Sequence, residues 1–185
     1  MKEVLKNQKG VLWVTLSYLL LPFGILALAI QMDFARPLWV EAQLQTAADA
    51  GALAGALTAE AFPEKEVEVQ YDASGNIIGI NERIVGWKTD ITDPEKAYHA
   101  AKEAVQWNTQ WLSSREGGFT MLEAFNPDED LSGEKLTNDS YLVNLKAHVA
   151  TLLMGKIQKA YGQAETDQIT VKVTGVGQAF PVVEP

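Results

Sequence analysis

The spacing of hydrophobic and polar residues changes twice along the chain, and each change predicts a different kind of element. From Val11 to Met32, "VLWVTLSYLLLPFGILALAIQM", there is no charged residue. At 1.5 Å per residue a helix of that length is about 33 Å long, enough to cross a bilayer core of about 30 Å. Past Asp33 polar residues return, but the helical period persists. At steps of about 100°, Val40, Leu44, Ala47, Ala48, Gly51, Ala54 and Gly55 share one face, with Glu41, Gln45 and Asp49 opposite. Gly51 and Gly55 each cost roughly 1 kcal/mol relative to alanine inside a helix. Small-x-x-x-small spacing lets another element approach until backbones touch, and Ala47, Ala48, Gly51, Ala54 and Gly55 form that packing face. Its partner is either the rest of the same chain or another copy of it.

From about Phe62 the period shortens to two. Val67, Val69 and Tyr71 alternate with Glu66, Glu68 and Gln70, and Ser74-Gly75-Asn76 supplies a turn, which predicts a hairpin. "TDPEKAYHAAKEAVQWNTQWL" returns to helical spacing, with Thr92 and Glu95 as a capping box and Pro94 in the first turn. Its apolar face carries Ala97, Ala101, Ala104, Val105, Trp111 and Leu112, and Gly117-Gly118 stop it. "NPDEDLSGEKLTNDS" is expected to be a polar loop. "YLVNLKAHV" alternates again, a short helix runs from about Leu152 to Tyr161, and "QITVKVTGVGQAF" is a strand with Ile169, Val171 and Val173 inward. The fold class is therefore α+β: a long N-terminal helix followed by a small antiparallel-sheet domain with helices. The expected divisions are a basic leader at 1–10, a membrane or filament-core helix at 11–32, an amphipathic small-residue extension at 33–61 and an extracytoplasmic α+β domain at 62–185.

Charge orients this arrangement. Lys2, Lys6 and Lys9 precede the uncharged run, and Trp13 and Trp39 bracket it as interfacial anchors would. The lysines predict a cytoplasmic N-terminus in a single-pass inner-membrane protein, with everything after Asp33 outside. A cleaved signal peptide ending near Ala27–Ala29 is the competing interpretation, but the uncharged run continues past it. The net charge of −9 and the lack of a basic stripe argue against a nucleic-acid partner.

Candidate chemistry is sparse. The chain has no cysteine, and His99 and His148 have no partners at fixed spacing, so no catalytic constellation is expected and the chain is read as a non-enzyme. No resident cofactor is expected. Asp128, Asp130 and Ser132 take positions one, three and five of a calcium-loop pattern, with Gly133 at six and Asp139 at twelve. Against calcium, Asp139 replaces the usual bidentate glutamate and Lys135 takes a normally apolar position. A solvated acidic turn is the alternative.

A basic N-terminus, an uncharged run ending in "MDFAR", and then "LQTAADAGALAGAL" resemble the N-terminal region of TadE/TadG-like proteins of the tight-adherence (Tad) pilus system. The strand–helix–strand course of "YLVNLKAHV", "TLLMGKIQKAYG" and "ITVKVTGVGQA" is similar as well. The resemblance implies a pilin-like fold and a membrane-inserted pilin-like subunit, extracted by assembly machinery into an extracellular filament of its own copies. In related pilins a prepilin peptidase cuts after a glycine that follows basic residues, and Gly10 before Val11 is similar to that site. Thr15 stands where cleaved pilins usually carry a glutamate, so an uncleaved chain is expected. The competing function is a membrane-anchored extracytoplasmic binding module that does not polymerise.

Overall fold

One helix accounts for both N-terminal patterns. In the computed structural model, which describes residues 2–113, 125–162 and 168–181 (side chains of 2–9 and 111–113 excluded), α1 runs unbroken from Lys2 to Ala56 through Pro22 and Pro37. At 1.5 Å per residue it is about 80 Å long. The strands β1 (Glu60–Tyr71) and β2 (Ile77–Asp90) follow, then α2 (Pro94–Ser113), β3 (Leu131–Lys135), β4 (Ser140–Ala150), α3 (Met154–Ala160) and β5 (Gln168–Gln178). The expected α+β class holds. The helix-stopping Gly117-Gly118 and the side chains of Trp111 and Leu112 lie outside the described residues.

Two antiparallel sheets form, β1-β2 and β3-β4-β5. On the second, Tyr141, Val143, Leu145, Ala147 and Val149 of β4 point to one face, and Val171 and Val173 of β5 join them, all buried. The C-terminal half of α1 covers that face against β4 and β5, and α2 packs beside it on α1 and reaches the sheet at β3; together they contribute Val40, Leu44, Ala97, Ala101 and Val105 to the core. The opposite face carries Asn144, Lys146, Lys172 and Thr174, the polar side expected of an antiparallel sheet covered by helices on one face only.

The small residues of α1 turn to this core. A Cβ at Gly51 would stand 2.7 Å from Val105 Cγ2 and 3.1 Å from the Ala101 carbonyl oxygen, and one at Gly55 would enter the Tyr141 ring. Along β5, a Cβ at Gly175 would collide with the carbonyl of Ala48, and one at Gly177 with that of Ala52. Helix and strand therefore meet backbone to backbone at two successive helical turns. Of the packing face read from the sequence, Ala47, Ala48, Gly51 and Gly55 are buried and Ala54 is half-buried, while Ala52 and Ala56 are buried beside them. Their partner is the chain's own sheet and α2, so residues 40–56 are part of the headpiece core and not an extension in front of it.

Local details differ from expectation in two places. Asp93, not Thr92, caps α2: its Oδ1 accepts the Lys96 N–H at 3.0 Å, leaving Pro94 as the first helical residue. The polar stretch 131–135 is a strand, because Gly133 lets Tyr141 lie across it and the β4 ladder pairs its backbone. The hairpin turn is as expected, with Asp72 Oδ1 accepting the Ser74 and Asn76 N–H groups at 2.8 Å and Gly75 at φ +85°.

The backbone contact predicts unequal costs for equal substitutions. Gly177→Ala should destabilise the full chain in detergent micelles by about 3 kcal/mol in urea unfolding, since backbone must move. Gly24→Ala should stay within about 1 kcal/mol of the parent, because a Cβ there meets nothing within 4 Å and the helix propensity improves. Similar costs for both would refute the backbone contact.

Candidate functional site

Three features outside the packed core bear on function: the N-terminal half of α1, the point where it enters the headpiece, and the acidic segment around β3. From Val11 to Leu28 the side chains of α1 are exposed, Leu19 at 59% and Phe23 at 64%. Among the described residues one helix, spanning Gly10–Ala56, is long and apolar enough to cross a membrane. Two of its hydroxyls bond within the helix, Thr15 Oγ1 donating to the Val11 carbonyl and Ser17 Oγ to that of Trp13, each at 2.9 Å. Gly10 and Val11, the candidate processing site, are both exposed and lie within the helix.

The apolar run ends at a buried carboxylate. Asp33 is 1% exposed, and it accepts three backbone N–H bonds: Leu152 to Oδ1 at 2.5 Å, and Leu153 and Met154 to Oδ2 at 2.6 and 2.7 Å. These N–H groups lead into α3 at its first residue, Met154, and the N-cap residue of that helix, Leu153, offers no side-chain acceptor. Asp33 thus caps a helix more than a hundred residues away in sequence, at the end of α3 where a negative charge is favoured. Burial pushes its pKa up, but the three N–H bonds and the Arg36 charge outweigh burial and hold it below its ordinary value of 3.8. The sequence contained a signal for this residue, a lone acid directly after an uncharged run, but not the identity of its partners.

The calcium pattern does not assemble. Lys146 N–H donates to the Asp130 carbonyl at 2.9 Å, whereas Asp139 sits beside Ser140 and Gln178 at the other end of β4. Six strand residues separate these ends, about 20 Å. Asp128 is paired with the Lys102 ammonium, and Asp130 Oδ2 accepts the Asn126 N–H at 2.9 Å. Ser132 lies on β3. Among the described residues no group of three or more acidic or histidine side chains is placed to hold a metal ion. Asp139 instead locks the β3–β4 turn to β5, accepting from Thr137 at 2.6 Å, Gln178 at 2.8 Å and Ser140 at 3.0 Å. Those three bonds lower its pKa to about 2, so it is a weak base. It borders a cleft of about 570 Å³ with Trp87 and Phe180. Of the histidines, His99 is exposed and His148 contacts Thr170 Oγ1 through Nδ1 at 3.2 Å.

No protein-family model matches the chain, and neither does any curated protein or solved structure.

Two outcomes follow. The folded pKa of Asp33 lies below its unfolded value, so its contribution is complete above the unfolded value and is lost as pH falls through the folded one. Asp33→Asn should cost about 1–2 kcal/mol at neutral pH and flatten the acid limb of thermal stability below the ordinary carboxylate value of 3.8; an unchanged limb would refute the cap. Calcium titrated into the full chain should give the same heats with and without Asp128→Ala plus Asp130→Ala, and a loss of heat in the double variant would restore the calcium site.

Proposed function

We propose that the chain is a structural, non-enzymatic subunit of a pilus-like extracellular filament, inserted first in the cytoplasmic membrane with its N-terminus inside. The observation that carries this reading is the division of α1: one half is bare and apolar, the other half is the core of a folded headpiece, and no linker separates them. A flexible tether would suffice for a mere anchor. A rigid helical handle fixes the orientation of each headpiece relative to its neighbours. Outside a bilayer the bare half must be buried against other copies, at about 25 cal/mol per Å² of apolar surface. Its small residues from Ala47 to Gly55 are committed inside the headpiece, which leaves residues 11–32 to form the filament core. The net charge of −9 keeps the coating headpieces apart. The TadE/TadG-like pattern at the N-terminus supports the same reading.

A membrane-anchored binding module remains the second reading, favoured by Thr15. Its hydroxyl is turned back on the Val11 carbonyl, so that position offers no charge to pair with a neighbour's N-terminus.

Material sheared from cells without detergent, viewed by electron microscopy and weighed by mass spectrometry, separates the two. Filaments built mainly of this chain are expected, with residues 1–10 retained. The chain confined to the membrane pellet, with no filament containing it, would overturn the subunit reading in favour of the anchored module.

A further inference from the structure

The β1-β2 hairpin is an amphipathic ribbon whose apolar side is largely exposed among the described residues. Directly paired residues in an antiparallel ladder share a face. The register therefore places Val67, Val69, Tyr71, Ile80, Ile84 and Trp87 on one side, and Glu66, Arg83, Glu68 and Asn81 on the other. The charged residues on the apolar side, Lys65 and Glu82, neutralise each other at 2.8 Å. Apart from half-buried Val69, these apolar side chains are between 40% exposed at Trp87 and 61% at Tyr71. Together they present roughly 600 Å², about three-quarters of the 800 Å² or so that one partner gives to a stable protein interface. A patch of that size on a soluble surface marks a contact, and an isolated two-stranded ribbon is itself only marginally stable in water.

Among the described residues the α1 segment 11–32 is another large uncovered apolar surface, and the two leave the headpiece at opposite ends. The helix departs at Asp33, tied to the backbone just beyond Ala150. The ribbon departs at Ile91, whose N–H donates to the Asn138 carbonyl at 2.8 Å, just before Ser140. The length of β4 lies between them, about 35 Å. The lengths also match: the ribbon from Pro63 to Tyr71 spans about 30 Å and the helical segment about 33 Å.

We propose that the apolar face of the β1-β2 ribbon of one copy covers the exposed helix, residues 11–32, of the next copy. This rests on the filament reading and adds the contact that propagates it. Surfaces at opposite ends of one subunit meet head to tail, an interface that does not close on itself. The helix is apolar all round, so a ribbon on one side leaves the other sides for neighbouring helices. The ribbon's polar side, with Glu66 and Glu68, then faces water.

The test uses full-length chain carrying a photo-crosslinking phenylalanine analogue at Ile80, irradiated in detergent-free filaments and analysed by mass spectrometry. Crosslinks from Ile80 to residues 11–32 of another copy are expected. Crosslinks to residues 60–90 of another copy, to a different protein, or no product between copies would overturn the proposal while the filament reading stands. Absence of filaments from the unmodified chain would sink both. In parallel, Ile80→Glu should lower filament yield about tenfold or more, as a carboxylate buried unpaired in an apolar contact would. Gln70→Glu on the polar side should leave the yield unchanged. Equal yields from both variants, each shown by circular dichroism to be folded, would also overturn it.

Discussion

The headpiece depends on a helix lying on a strand with no side chains between them. Ala48 and Ala52 of α1 rest on Gly175 and Gly177 of β5 closely enough that neither glycine has room for a Cβ. Such an approach brings the helix deep into the sheet face, so that Leu44 and Val40 reach the sheet, and Gly51 and Gly55 admit Val105 and Tyr141 from the flanks. It also serves the sheet edge: the Thr174 carbonyl of β5 accepts Gln45 Nε2 at 2.9 Å, and the same Nε2 holds Asp49 Oδ1 at 2.9 Å. The helix-propensity cost of the glycines is offset by dispersion contacts that larger residues would forbid.

Because the contact fixes α1 against the sheet, whatever surrounds the bare half of α1 is rigidly coupled to the headpiece. Asp33 reinforces the coupling at the boundary. Its carboxylate gathers the three N–H groups that lead into α3 within a few residues of the last apolar position, so the loop after β4 is attached to the neck of the helix. Removal from water alone would favour the neutral acid; the concentration of donors keeps it charged. Polar chemistry in the headpiece is mostly of this structural kind, with Asp139 and Asp72 spending their acceptors on nearby turns.

The ribbon differs from the rest. Its two strands are stitched by the Lys65–Glu82 and Lys88–Glu64 ion pairs and anchored at its base near Asn138, and its apolar side stays uncovered. Exposed ion pairs add little to stability, so a partner's surface would add much of the ribbon's stability. Bare helix at one end and bare ribbon at the other leave the chain with two uncovered apolar surfaces.

By itself the sequence determined the elements whose period is strong: the uncharged helix, the alternating strands β4 and β5, the hairpin turn and the helix begun near Pro94. It also showed that Gly51 and Gly55 require a close neighbour, because the cost of glycine in a helix is local. What it left open was the neighbour's identity. That depended on Gly175 and Gly177, whose relevance to Ala48 and Ala52 appears only once more than a hundred residues of chain have folded back. The same distance hid the partners of Asp33 and the role of Gly133, beside Tyr141, in making "LSGEK" a strand. The calcium pattern failed for the converse reason: residues close in sequence were carried about 20 Å apart by an extended strand. Periodicity is set by each residue's own neighbours and is legible; pairings between distant segments are set by packing, which only the tertiary structure decided.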